Sequence, residues 1–125
     1  GLYSDPYSDF GRLAMELWRA CRLVVDTGIH SQRWTRAKGI QYYSDNTPNA
    51  ISDVVKMVER HVVMPSQATA YKIGMLKILQ LRQSAKTALG EDFDIRAFHD
   101  EILKYGPLPL NVLEAKVDAW VSAQK

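Results

Sequence analysis

The chain has one cysteine in 125 residues, so it can form no internal disulfide and no thiolate cluster to hold a metal. A lone Cys21 fits a reducing compartment, and it fits equally a piece of an exported protein. Histidine is nearly as scarce: His30, His61 and His99 are all there are, and no two stand four apart. A zinc site built on one helix needs that spacing with an adjacent glutamate, and Glu59 with His61, two apart, is poor geometry for it. Long apolar runs are missing too. No stretch of about 18 apolar residues occurs and no charged leader precedes an apolar segment, so neither a membrane span nor a signal peptide is expected within the chain. A net charge of +2, from 16 basic and 14 acidic residues evenly spread, argues against nucleic acid or an anionic membrane as partner. There is no glycine-rich phosphate loop, and no serine or cysteine has a histidine and an acid at a spacing that supports nucleophilic catalysis. No run alternates as a half-buried strand would, and no internal repeat is visible.

What is present is an ordinary globular mixture, 46% hydrophobic and 24% charged, enough for one domain with a modest core. The chain begins abruptly at Gly1 without a methionine, which reads as a cut and suggests one segment of a longer protein. Helical periodicity then runs through it. Asp9 is a plausible cap for a helix over Phe10–Asp26, with Phe10, Leu13, Ala14, Leu17, Cys21 and Val24 on one face, and Trp18 and Val25 widening it. Thr27–Gly28 supplies a stop, and Ile29–Trp34 is a connection carrying His30. Thr35 caps a second helix over Arg36–Asp45, with Ile40 and Tyr43 inward. A third, over Ser52–His61, buries Val54, Val55 and Val58. Pro65 suits the first position of a long helix that ends at Leu89–Gly90, with Tyr71, Met75, Ile78, Leu79 and Leu89 on one face and Ile73, Leu76 and Leu81 pointing elsewhere. Such a helix wants partners on several sides, so the chain is expected to expose apolar surface, covered in isolation by self-association. Asp94 caps a helix to Tyr105, stopped by Gly106, and the last helix spans Leu110–Ala123. The expectation is an all-α segment over residues 1–125 with about six helices.

The chemistry-bearing candidates sit near the first helix and the corner after the third. Arg19 and Arg22, three apart, can reach one anion together. With Glu16 three before and Asp26 four after, the simplest reading is an ion-pair network, and recognition of a substrate carboxylate is the sharper one. His30, at a turn beside a helix terminus, can donate to a substrate carbonyl or rest on backbone groups. Tyr71, close to Gln67 and Lys72 in the first turns of the long helix, can donate to an oxyanion or serve as a core tyrosine.

The same residues carry a resemblance. The run from Glu16 to His30 (ELWRACRLVVDTGIH), Trp34-Thr35-Arg36, Asn46-Thr47-Pro48, Met64-Pro65-Ser66-Gln67-Ala68 and Tyr71-Lys72-Ile73-Gly74 resemble the C-terminal part of the bacterial family called domain of unknown function 885. Leu89-Gly90, Phe93 to His99, and Gly106-Pro107-Leu108-Pro109-Leu110 with Leu113 continue it in order, over nearly the whole chain. One departure is Ser66, where the family usually has glycine. The family is largely helical and resembles zinc metallopeptidases of the thermolysin-like, glutamate-ligand class. The resemblance implies that this chain is the C-terminal fragment of a larger metallopeptidase-like domain, with the zinc ligands before Gly1 and no metal ligand here. It also implies a peptide or related amide as substrate of the parent. His30 and Tyr71 would then contact the substrate carbonyl and oxyanion, while Arg19, Arg22 and Gln67 line the same cleft. The remainder of the parent polypeptide is the implied partner, and location, cytoplasmic or exported, depends on sequence outside the chain. The competing expectation is a non-catalytic helical interaction domain.

Overall fold

A computed structural model describes residues Tyr3–Gln124. Among them the chain forms six α-helices: α1 (Pro6–Gln32), α2 (Arg36–Asn46), α3 (Ile51–Val63), α4 (Lys72–Leu89), α5 (Ile95–Leu103) and α6 (Leu110–Ala123). Two single 3-10 turns, Gln67–Thr69 and Gly90–Asp92, interrupt the sequence of helices. The all-helical expectation holds. The chain divides into two compact units, Gly1–Ile73 and Gly74–Lys125.

In the first unit α1 is longer at both ends than the sequence suggests. Asp5, not Asp9, is the cap: its carboxylate accepts from the amides of Tyr7 and Ser8, and Pro6 opens the helix where its missing N–H costs nothing. Asp9 instead pairs with Arg12 at 2.8 Å. At the far end the helix runs through Gly28 and stops at Arg33, whose left-handed backbone (φ 56°) turns the chain. The Trp34 amide then closes onto the Gly28 carbonyl at 2.9 Å. Gly28 is required for packing and not for termination. A Cβ there would lie 2.5 Å from Trp34 Cδ2.

Trp18, Cys21 and Val25 of α1, Tyr43 of α2, and Val54 and Val58 of α3 form the core of this unit. Thr35 caps α2 as expected, accepting from the Lys38 amide. Trp18 and Tyr43 meet at 4.8 Å between ring centroids. The buried face of α1 is rotated from the expected one. It carries Arg22 and Asp26, whereas Phe10, Leu13 and Leu17 are exposed. Periodicity marks these three as an apolar stripe, but no element of this unit covers them.

Pro65 does not open α4. Ser66 (φ 65°) and Tyr71 (φ 66°) are both left-handed and bracket the Gln67–Thr69 turn. An L-residue in that conformation cannot continue a right-handed helix, so α4 starts only at Lys72. The Lys72 amide bonds the Ala70 carbonyl at 2.8 Å, closing a tight turn around Tyr71. Tyr71 therefore lies before the helix and not within its first turns.

The second unit is built on Leu81 and Ala85 of α4, Phe98 of α5, and Leu113 and Val117 of α6. Ile78, Phe93, Ile102 and Trp120 pack around them. Leu81, read as facing away, is buried, and Leu79, read as inward, is exposed. The four-residue steps Leu81, Ala85, Leu89 define the real stripe, because only that face meets Phe98 and the α6 residues. Asp94 caps α5 through the Arg96 amide, Gly90 (φ 58°) marks the stop of α4, α5 ends at Leu103, short of the expected Tyr105 and Gly106 (φ 67°), and α6 has the expected bounds.

Two glycines of α1 give opposite expectations. Gly11→Ala has open space and gains helix propensity, so it should stabilise the chain by up to about 1 kcal/mol. Gly28→Ala must displace the Trp34 ring and should cost about 1–3 kcal/mol net of the same propensity gain. Urea unfolding of the two variants checks this, and equal shifts would show that Trp34 does not hold its place against α1.

Candidate functional site

The polar residues of the first unit gather behind α1. Arg22 and Asp26, one turn apart, are each 2% exposed. Arg22 Nη2 donates to Gln67 Oε1 at 2.8 Å, and Nη1 lies 2.7 Å from the Met57 thioether, while Nε has no partner among the described residues. Asp26 Oδ1 accepts from the Ser66 amide at 3.0 Å, and Oδ2 has no partner among the described residues. The expected network of Glu16, Arg19, Arg22 and Asp26 is not formed. Glu16 pairs with Lys72 at 3.2 Å and Arg12 at 3.6 Å. Arg19 lies over the Tyr71 ring, 4.1 Å from its centroid. The reason is the rotation of α1: Arg22 and Asp26 turn inward onto α3 and the corner, and Glu16 and Arg19 do not follow. Arg22 thus buries a charge whose hydrogen-bond partners are an amide oxygen and a sulfur, a costly arrangement. Burial pulls its pKa down, with Tyr43 opposing and Arg19 and Arg60 adding to the shift, yet a guanidinium stays charged.

Beside it, the Tyr43 hydroxyl and His61 Nε2 share a hydrogen bond of 2.8 Å. His61 is 1% exposed, and burial lowers its pKa to about 4, with Arg22 adding to the shift and Asp26 opposing it. Burial pushes the Tyr43 phenol well above its usual value, so both groups are neutral near pH 7. His30 sits in the last turn of α1, not in a turn beyond it, and its Nε2 donates to the His61 carbonyl at 2.8 Å. Tyr71 is 62% exposed and touches Arg19. The structure therefore joins Arg22 to Gln67, Arg19 to Tyr71, and His30 to His61. The Cys21 thiol is buried and its pKa raised by that burial, which leaves it unreactive. Among the described residues no three of His, Cys, Asp or Glu converge, so the side chains here do not fit a zinc site.

In front of this cluster lies an open cleft of about 480 Å³. One wall is Gly11, Ala14, Met15 and Trp18 of α1, the other Asp53, Lys56, Met57 and Arg60 of α3, and Pro48 and Asn49 close one end. Both walls repeat at i, i+3, i+4, i+7, so two helical stripes face each other, and the small Gly11 and Ala14 leave the gap between them.

Met57 and the cleft cations were not singled out by sequence reasoning, and His61 was weighed there only as a poorly placed metal ligand. A signal for His61 was available: Val54, Val58 and His61 share one stripe of α3, so the histidine had to be buried and hydrogen-bonded. No sequence signal pairs Met57 with Arg22, 35 residues apart.

The buried histidine makes stability depend on pH. Unfolded, His61 gains its proton near pH 6.5, and folded it resists protonation down to about 4. Between those values the unfolded chain binds more protons, so this contribution is full above about pH 6.5. It is lost as pH falls through the window, to a total of about 3 kcal/mol. Urea midpoints at about pH 7 and about pH 4.5 should diverge more for the parent chain than for His61→Gln. Equal divergence would remove His61 as the cause.

Three comparisons bear on the chain as a whole. A solved structure, that of a candidate lipoprotein from Colwellia psychrerythraea, is similar at 52% sequence identity and a TM-score of 0.94. The similarity covers 98% of this chain and 21% of that one, so the present chain spans about a fifth of its solved relative. Among curated proteins none is similar to it. Residues 1–117 match the family described as bacterial protein of unknown function, DUF885. The chain belongs to the DUF885 family.

Proposed function

We propose that this chain is a non-catalytic helical interaction unit of a longer DUF885 polypeptide, docked to the rest of that polypeptide through the N-terminal half of α1. The observation that carries this is the stripe of Phe10, Leu13 and Leu17, exposed at 61%, 50% and 44%. These residues recur at the spacing of a buried helix face, and such a face requires a partner. A shallow groove follows the same stripe, lined by Leu13, Leu17 and Ala20 and edged by the Glu16–Lys72 ion pair. The 21% coverage of the Colwellia protein supports a large remaining body as occupant, and self-association is the substitute expected in isolation. The lipoprotein description of that protein supports an exported location.

A second reading makes the longer protein a peptidase, with its metal ligands outside these residues. The backbone of Tyr71 favours it. A non-glycine residue at φ 66°, closed into a tight turn and stacked by Arg19, is the kind of strained position that clusters at working sites. In this reading the Tyr71 hydroxyl donates to the substrate oxyanion, His30 contacts the substrate carbonyl, and Arg19, Arg22 and Gln67 hold a substrate carboxylate.

Each reading has its own experiment. Leu13→Glu/Leu17→Glu should cost the longer polypeptide at least about 3 kcal/mol, since two leucines lose their cover. It should change the isolated chain by less than about 0.5 kcal/mol. Equal effects in both would end the docking reading. For the peptidase, Tyr71→Phe in the longer protein should lower kcat about a hundredfold with unchanged unfolding temperature. An unaltered kcat would exclude the oxyanion role.

A further inference from the structure

We infer that the cleft between α1 and α3 is a binding site for a small carboxylate with an apolar body, such as an N-acyl amino acid or a hydrophobic dipeptide. The inference does not depend on either reading above. Its volume of about 480 Å³ lies within the range of small-ligand sites. Trp18, Met15 and Met57 supply an apolar floor. Lys56 and Arg60, one turn apart on α3, stand on the same wall and form no ion pair among the described residues. Asp53 is the one carboxylate on the lining, so the walls carry an excess of positive charge.

The second, independent observation lies behind the floor. Met57 lines the cleft, and its sulfur takes the Nη1 group of Arg22, which is 98% buried and retains an unpartnered Nε. A thioether is a weak acceptor for a guanidinium, and methionine is the most adaptable of apolar side chains. A ligand carboxylate in the cleft is held by Lys56 and Arg60. By shifting the Met57 side chain it gains Nη1 of Arg22, exchanging a weak contact for a charge-assisted one. No residue that makes a direct contact in this arrangement lies outside the first unit.

The probe is N-benzoylglycine, with its uncharged amide N-benzoylglycinamide as control, titrated into the 125-residue chain carrying 13C-methyl methionine. The Met57 and Met15 methyl signals should shift in a saturable way while those of Met64 and Met75 stay in place. The amide should bind at least about tenfold more weakly, and so should the carboxylate on Lys56→Ala/Arg60→Ala, the order expected for losing charge-assisted contacts at a solvent-open cleft. Both lysine and arginine side chains concerned are exposed, so that variant keeps its fold, as the Tyr43 and His61 ring signals will register. Arg22→Lys, where it folds, should also weaken the carboxylate and leave the amide unchanged. Absence of saturable shifts, equal binding of acid and amide, or full affinity in the double variant would each overturn the site.

Discussion

Arg22 is the constraint around which the first unit is arranged. Once α1 rotates its 22–26 turn inward, a guanidinium must be accommodated with no carboxylate within ion-pair reach among the described residues. Its two Nη groups then draw on α3 through Met57 and on the corner through Gln67. Asp26 adds a third tie through the Ser66 amide. These contacts join segments 35 to 45 positions apart in sequence. They also hold the Ser66 end of the corner, while the Lys72–Ala70 bond and Arg19 hold the Tyr71 end. Two non-glycine residues with positive φ cost about 1–3 kcal/mol each, and they persist only where surrounding bonds fix them. Charged groups bonded to Gln67 and to the Ser66 amide are bonds of that strength.

The Tyr43–His61 pair solves a related problem without charge. Both polar tips are buried among valines and an indole, and each satisfies the other at 2.8 Å. The neighbouring positive charge of Arg22 reinforces burial in keeping His61 neutral. A protonated imidazole beside a buried guanidinium would be repelled in a medium of low dielectric. The neutral pair and the fixed cation therefore belong to one electrostatic design, and His30 extends it by bonding the His61 carbonyl from the end of α1.

Local chemistry was legible in the sequence, and long-range packing was not. The Thr35 and Asp94 caps and the stop at Gly90 follow from side-chain-to-amide bonds or from φ freedom within a few residues. Gly28 was misread because glycine serves equally as a helix stop and as a gap for a neighbour. Only the Trp34 ring, brought back by the left-handed Arg33, decides between them. Leu81 and Leu79 exchanged places because α4 is apolar in several directions and its partner sets the buried one. Ser66 is instructive in another way. The family resemblance expects glycine there, and the φ of 65° supplies the physical reason. Of the candidate site, Arg22 and Gln67 proved to be direct partners. The Arg22–Asp26 ion pair failed because helical spacing permits a contact without requiring it.

The N-terminal half of α1 carries two stripes with different unmet needs. Phe10, Leu13 and Leu17 form one; Gly11, Ala14, Met15 and Trp18 form the other, about a third of a turn of the helix away. Among the described residues the first lacks an apolar cover, and the second already faces α3 across a cleft whose cations form no ion pair. A partner helix laid on the first stripe would stand beside the cleft and not within it. Covering the stripe would then hold the α1 wall in place and deepen the cleft at its rim, which raises the strength of every charge in it by excluding water. The proposed docking and the proposed ligand recognition would thus be compatible on one helix, and each could be disrupted without touching the other's residues.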